Sequence, residues 1–355
     1  MSRLAHTYSC ILIAVLLLHV SGCDSNSDVG DGLGSDDAGD ARLPDTSDPS
    51  DTGGVSEGWK TVAAGAFHTC AIDSRDELYC WGIRDGSVED FGQVSDAPQG
   101  LFRDVSAAYG HSCAIDLAKA VTCWGASGGG FLDLGQATDV PSGEFSAVSV
   151  GDGHSCALTV AGEVVCWGVD DGGEFDFGQV TDAPSGVFQS LSCAGSHCCA
   201  ISETADITCW GTDEGEPYND YGQVTKAPAG DFIDVSAGLT HTCAVGADTQ
   251  KVQCWGIEDE SDFDYGQVTK APREGSFSSV SVGLNHSCAI TVDGSVQCWG
   301  IDGGEFDDFG QVRDAPAGRF IEMDSGFEHV CAIKSDTGSL KCWGRDTFDQ
   351  VSGMP

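Results

Sequence analysis

Apolar and polar residues alternate along most of this chain in short runs, and the runs return at a fixed interval. Phe145-Ser-Ala-Val-Ser-Val150 alternates, Gly151-Asp152-Gly153 interrupts it, and His154 to Thr159 forms a second apolar run. Period-two alternation bounded by Gly and Asp predicts strands joined by turns. A third strand is predicted over Glu163 to Trp167 and a short fourth over Gln179-Val180-Thr181, with Ala183-Pro184 closing the unit. The grammar recurs seven times: His-x-Cys starts at His68, His111, His154, His197, His241, His286 and His329, and Cys-Trp-Gly at Cys80, Cys123, Cys166, Cys209, Cys254, Cys298 and Cys342. Successive His positions differ by 43, 43, 43, 44, 45 and 43 residues. Short strands repeating at such a period predict an all-β, seven-bladed β-propeller of four-stranded antiparallel blades.

The end of the chain sharpens this expectation. Gln350-Val351-Ser352-Gly353-Met354-Pro355 matches Gln179 to Pro184, so residues 58–355 contain seven whole units with nothing left over. A ring closed by its two ends accounts for this, whereas an open solenoid needs modified caps.

The cysteines fit the same frame. Of 18, Cys10 and Cys23 lie near the N-terminus and fourteen form the pairs Cys70/Cys80, Cys113/Cys123, Cys156/Cys166, Cys199/Cys209, Cys243/Cys254, Cys288/Cys298 and Cys331/Cys342. If Cys156 faces Cys166, the hairpin loop is Val160-Ala161-Gly162, and a three-residue loop favours Gly at its last position. Cys288 and Cys298 give a loop ending in Gly294 by the same reasoning, and Ser335 to Gly338 suits the longer spacing of Cys331 and Cys342. Cys193 and Cys198 flank a four-residue turn and supply an eighth pair. Regular, even spacing in an exported chain reads as intra-blade disulfides, and no C-x-x-C pair argues for zinc, so no metal and no cofactor are expected.

Export itself is read from the N-terminus. Arg3, the apolar run Ile11 to Val20 and Val20-Ser21-Gly22-Cys23 form a secretory signal over residues 1–22. The run is too short for a bilayer span, which takes about 20 apolar residues. Val-Ser-Gly-Cys resembles the bacterial lipobox, which implies lipidation of Cys23 and an outer-membrane lipoprotein of the cell envelope, periplasmic or surface-exposed. Residues 24–57 hold nine Asp and one Glu against Arg42, with almost nothing apolar. With Cys23, they are expected to be a disordered tether.

Charge narrows the partners. The chain carries a formal −40, and residues 58–355 alone hold 46 acids against 14 bases. Nucleic-acid binding rests on neutralising phosphates with Lys and Arg, so it is not expected. Each His of the propeller region recurs once per unit, and so does each Trp except Trp59, which takes the place that Phe145 holds in its own unit. A residue type used once per blade serves packing or hydrogen bonding there. No nucleophile–base pair or phosphate loop appears, and a non-enzyme is expected.

Gly-x-x-His-[Ser/Thr]-Cys-Ala-Ile/Leu, Cys-Trp-Gly and Gly-Gln together resemble the repeats of the regulator-of-chromosome-condensation (RCC1-like) family, in a bacterial exported lipoprotein branch. The resemblance spans residues 58–355 and implies a seven-bladed β-propeller. The founding members are nucleotide-exchange factors for a nuclear GTPase and bind chromatin, a role at odds with an acidic, cysteine-paired, exported chain. Bacterial relatives include secreted binding proteins, among them a β-lactamase inhibitor.

Function is expected where the blades differ. The turn before each His has a variable position, filled by Ala66, Tyr109, Asp152, Gly195, Leu239, Leu284 and Phe327, with Phe67 following Ala66. Phe67, Tyr109, Leu239, Leu284 and Phe327 would form a contiguous apolar arc on one rim, exposed and available to a ligand. The second variable set is the loop after Cys-Trp-Gly, where Asp90, Asp133, Asp176, Asp220, Asp264 and Asp308 precede the residue before Gly-Gln. Such carboxylates suit Ca²⁺, but their spacing matches no calcium loop, and solvated acidic loops are the preferred reading. The leading expectation is a monomeric, membrane-anchored extracytoplasmic propeller that binds a protein or cell-surface ligand. A protein inhibitor of a secreted enzyme is the narrower alternative, and a glycan-acting hydrolase or lyase the third.

Overall fold

The computed structural model describes residues 58–128, 132–213, 220–304 and 306–355, all within the compact unit Val55–Pro355. The expected signal peptide (1–22), the Cys23 lipidation site and the tether (23–57) lie outside the described residues.

Each unit folds as one antiparallel sheet with its strands in chain order. The first sheet holds β1 (Trp59–Ala64), β2 (His68–Asp73) and β3 (Leu78–Gly82); the second β4 (Phe102–Ala107), β5 (His111–Asp116) and β6 (Val121–Gly125). The third holds β7 (Phe145–Val150), β8 (His154–Thr159) and β9 (Val164–Gly168); the fourth β10 (Phe188–Ala194), β11 (His197–Ser202) and β12 (Ile207–Gly211). The fifth holds β13 (Phe232–Ala237), β14 (His241–Gly246) and β15 (Val252–Gly256); the sixth β16 (Phe277–Val282), β17 (His286–Thr291) and β18 (Val296–Gly300). The seventh is β19 (Phe320–Ser325), β20 (His329–Lys334) and β21 (Leu340–Gly344). Among the described residues there is no helix long and apolar enough to cross a membrane.

The blades therefore have three strands, not the expected four. Gln179-Val180-Thr181, apolar and β-branched enough to read as a strand, is a turn. Gly178 takes φ 81°, a left-handed conformation open to Gly, and Asp182 N–H closes the turn on the Gly178 carbonyl at 2.9 Å. The Gln179 side chain then does locally what a partner strand would do. Its Oε1 accepts from Phe177 N–H at 2.6 Å and its Nε2 donates to the Phe175 carbonyl at 2.8 Å. The Gln179 carbonyl accepts Nε1–H of Trp210 from the next sheet at 2.9 Å. The same bond from one sheet to the next joins Trp124 to Gln93, Trp167 to Gln136, Trp255 to Gln223, Trp299 to Gln267 and Trp343 to Gln311.

Each sheet opens on an aromatic whose placement depends on a bulge. Strict alternation would set Phe145 on the opposite face from Val148 and Val150. A register shift between Phe145 and Ala147 inserts one residue and returns the ring to their face. The shift recurs at the start of all seven sheets. The core consequently lies between sheets: Phe145, Val148 and Val150 pack with Cys113 and Ile115 of the preceding sheet and with Trp167 of their own. Burying one such side chain contributes about 1.5–3 kcal/mol. The first sheet packs on the seventh in the same manner. Trp59, Val62 and Trp81 share a cluster with Cys331, Ile333 and Leu340, and Trp81 Nε1–H donates to the Gln350 carbonyl at 2.9 Å.

Within every sheet the paired cysteines face each other across the second and third strands, as Cys156 does Cys166. Seven disulfides follow this pattern, with Cα–Cα separations of 4.0–4.1 Å. The eighth, Cys193–Cys198, closes the β10–β11 hairpin of the fourth sheet.

Candidate functional site

The first strand of each sheet has one edge with no strand beside it, and such an edge leaves N–H groups to be satisfied. Here side chains of the preceding sheet meet them. Ser106 Oγ accepts from Val150 N–H at 3.2 Å, Ser149 from Cys193 at 2.8 Å, Ser192 from Ala237 at 2.9 Å, Ser236 from Val282 at 3.0 Å and Ser281 from Ser325 at 2.8 Å. Carboxylates do the same work: Asp104 for Val148 (3.1 Å), Asp234 for Val280 (2.8 Å), Glu322 for Val62 (3.1 Å) and Asp324 for Ala64 (2.7 Å). Burial pushes Asp104 and Asp324 up to about 6 and Asp234 up to about 7, although the donated N–H bonds pull the other way.

These strand ends and the turns after them enclose a cavity of about 110 Å³, lined by residues of all seven sheets. Its wall carries Ser106, Ser149, Ser192, Ser236, Ser325 and Asp324. At the turns it meets Asp152, Gly195, Leu239, Leu284 and Phe327, so the variable position of the repeat faces the shared cavity.

Immediately behind the turns runs a chain of buried histidines. His68 Nε2 meets Ser112 Oγ at 2.7 Å, His111 meets Ser155 at 2.8 Å, His197 meets Thr242 at 2.8 Å, His241 meets Ser287 at 2.7 Å and His329 meets Thr69 at 2.8 Å. The hydroxyl slot fails twice. It holds Cys198 opposite His154, with Nε2 and Sγ 3.0 Å apart, and Val330 opposite His286, whose Nε2 is left without a partner. Burial depresses all seven imidazoles to about 3 or 4, so they are neutral at ordinary pH. All but His286 meet a side chain of the next sheet and none titrates near neutrality, in keeping with a structural role.

The arc residues lie at their equivalent turns, but none is exposed as expected. Tyr109 is 9% and Leu284 5% exposed, while Phe67, Leu239 and Phe327 are half-buried. The reason is mutual packing: Tyr109 lies 5.5 Å from Phe67, 6.1 Å from Phe91 and 5.9 Å from Phe327 between ring centroids. Gly195 also has a packing explanation. A Cβ there would stand 2.8 Å from Leu239 Cδ1, and its φ is 49°.

Asp152 differs from its neighbours. Its backbone N–H donates to the Gly195 carbonyl at 3.0 Å, but its carboxylate has no hydrogen-bond or ion-pair partner among the described residues, and Oδ1 is buried. Burial alone pushes this acid up to about 6. Its charge, after burial and Glu89, helps push Tyr109 up to about 12.

The acidic loops after Cys-Trp-Gly have a local task. Asp176 accepts from Gly178 N–H at 3.1 Å and Gly172 N–H at 2.8 Å; Asp90 and Asp308 hold the equivalent glycines, and Asp264 holds Gly266 and Glu260. Asp133 and Asp220 each accept from the Gly two residues on. These carboxylates cap their own loops.

One cluster of metal-ligand type occurs among the described residues: His154, Cys156, Cys193 and Cys198. All three sulfurs belong to disulfides, so the thiolates that a soft metal needs are absent.

The sequence reading missed an ion pair in the last sheet. Arg345 pairs with buried Glu328 and lies 5.2–5.9 Å from the ring centroids of Phe67, Phe309 and Phe348. Burial pushes Glu328 up, and Arg345 opposes that shift. The signal was present, because the slot after Cys-Trp-Gly holds Ile83, Ala126, Val169, Thr212, Ile257 and Ile301 elsewhere.

The strand–His–Cys-Trp-Gly–Gln unit is a recognised one. Three of the seven units match the Regulator of chromosome condensation (RCC1) repeat. The matches cover residues 59–93, 145–179 and 277–311, each running from the opening aromatic to the Gln that receives the next Trp. Among solved structures, the chain is similar to the CRINKLY WD40 ectodomain of the Arabidopsis thaliana receptor kinase ACR4, with TM-score 0.64, 22% identity and coverage of 84% of this chain and 98% of that one. The entire ectodomain of the Physcomitrella patens receptor kinase CR4 gives 0.61 and 22%, over 81% and 74%. Prp20p of Saccharomyces cerevisiae, described with its binding to Gsp1p and histones, gives 0.53 and 18%, over 76% and 80%. These likenesses show an RCC1-like β-propeller fold. No curated protein matches the chain.

Proposed function

We propose that this protein is a closed seven-bladed propeller that binds a protein ligand outside the cytoplasm, held at the envelope through Cys23, and that it is not an enzyme. The carrying observation is the contrast within one structural slot. Of the seven equivalent turns, five place their variable residue on one cavity, and these are Asp152, Gly195, Leu239, Leu284 and Phe327 where a purely structural slot would repeat. Half-buried Phe67 and Phe327, packed against the buried Tyr109 ring, and half-buried Leu239 offer a preorganised apolar surface of the kind that anchors partners. Closure is supported by the packing of the first sheet on the seventh. The compartment is supported by eight disulfides, which persist where conditions are oxidising. That Prp20p, a protein of this fold, binds proteins makes the scaffold a reasonable one for the task.

Site-specific photo-crosslinking in the full-length protein tests this. A photoreactive residue at Phe327 is expected to capture one protein in envelope preparations, while the same residue at exposed Val160, beyond the other end of the β7–β8 pair, captures little. Equal yields from the two positions, or none from Phe327, overturn the proposal.

A further inference from the structure

The cavity is lined by two carboxylates, Asp152 and Asp324, and Asp324, like the carboxylates of the inner strands, is committed to the fold. Asp104, Asp234, Glu322 and Asp324 each hold a backbone N–H of the next sheet. Asp152 holds nothing with its side chain, although Oδ1 is buried and the residue lines the cavity. An unpaired buried carboxylate is costly, and a cost that does no structural work calls for another explanation. Leu239 and Leu284 occupy the same slot in other sheets, so the turn does not require an acid.

A second unpartnered group lines the same cavity. Ser325 is 8% exposed, and its Oγ has no hydrogen-bond partner. Between the polar wall and the turns, Leu239, Leu284 and Phe327 supply an apolar collar. On the same volume measure a water needs roughly 10–15 Å³, so a cavity of about 110 Å³ has room for a larger group. An apolar collar, a hydroxyl-lined wall and a free carboxylate complement a ligand with a hydrocarbon stem and a cationic tip. That is the chemistry of a lysine side chain, which buries its methylenes while its ammonium seeks an anionic or hydroxyl partner. The net charge of −40 favours the approach of such a group.

We propose that the cavity, through Asp152 and Ser325, is the receptor for a lysine side chain of the protein ligand. This rests on the binding role above and specifies its chemistry. A cationic head is expected because Asp152 is the one carboxylate at the seven turn positions and no base pairs with it among the described residues.

The test uses the full-length protein and Nα-acetyl-lysinamide in isothermal titration, with the Nε-acetylated analogue as the uncharged control. The lysinamide is expected to bind in roughly the millimolar range, the control about tenfold more weakly, and Asp152→Asn to weaken the lysinamide about tenfold while leaving the control unchanged. Ser325→Ala, which removes no charge and breaks no bond its side chain makes, should weaken it about threefold. No saturable binding, or equal binding by wild type and Asp152→Asn, overturns the assignment. Binding of n-butylammonium without binding of the lysinamide overturns it too, since the pocket would then take a free amine. A partner captured at Phe327 that binds Asp152→Asn as well as wild type leaves the binding role standing and removes only the lysine pocket. Lysinamide binding without capture at Phe327 has the opposite meaning.

Discussion

Two carboxylates on one cavity wall, Asp324 and Asp152, have been pushed up by burial to about 6, yet they belong to different parts of the design. Asp324 accepts from Ala64 N–H at 2.7 Å and from Ser281 Oγ–H at 3.3 Å, and so ties three sheets together. Asp152 ties nothing with its side chain. The contrast extends to the regions around them. Along the inner strands, polar side chains are spent on the neighbouring sheet's backbone, and the slot of Ser149 holds Ser or Asp in six of the seven sheets, Ala63 being the exception. At the turns three residues later the same frame holds Ala, Tyr, Asp, Gly, Leu and Phe. Where most sheets make the same bond, the residue types stay close; at the turns Tyr109 and Gly195 answer local packing, while the Asp152 side chain is left without a partner.

The largest expected effect concerns the structural region and pH. The seven buried His have folded pKa values of about 3 or 4, below the unfolded value of 6.5. Their contribution is therefore present above about pH 6.5 and lost as pH falls through the folded values. Asp104, Asp152, Asp234 and Asp324 are raised to about 6 or 7, so theirs is fully present below about pH 4 and lost as pH rises through 6 to 7. Asp307, Glu322 and Glu328 are raised as well, but by less, and the His are moved furthest from their ordinary values, so between pH 6.5 and 4 the unfolded chain takes up more protons. Urea midpoints are expected to fall on acidification across this window, on the order of several kcal/mol in stability. A midpoint that is flat or rises toward pH 4 would break the assignment of the His to the structural region.

Next in size is Tyr109, which sits in the variable slot but is packed by rings from other sheets. Tyr109→Ala is expected to cost about 3 kcal/mol, at the low end for removing a buried aromatic, read as a lowered urea midpoint. A cost near zero would place Tyr109 with Asp152 among the residues free of structural duty.

Much of this was legible in the sequence. The seven units, the positions of three strands in each and the pairing partners of the cysteines follow from the period and from Gly162, Gly294 and Gly338 at the hairpin turns. The fourth strand misled because Val180 and Thr181 have strand character, while the deciding features are Gly178 and the self-bonding Gln179 amide. The turn slot was legible as a place of variation, but the burial of Tyr109 was not. Its neighbours Phe67 and Phe91 come from the preceding unit and Phe327 from the last, and they meet only through the packing of sheet on sheet. Arg345 and Glu328 broke the repeat visibly, yet only their pairing gives that break a meaning.

The most direct test of the division between wall and turns is the folding free energy of Asp324→Ala beside that of Asp152→Leu, measured by urea unfolding at pH 7 with the disulfides intact. Asp324→Ala orphans the Ala64 N–H and should lose about 1–3 kcal/mol. Asp152→Leu removes an unpaired buried charge and installs the residue that the fifth and sixth sheets already use, so its stability should equal or exceed wild type. If Asp152→Leu instead loses as much as Asp324→Ala, then Asp152 is part of the structural wall and the account of the turns is wrong.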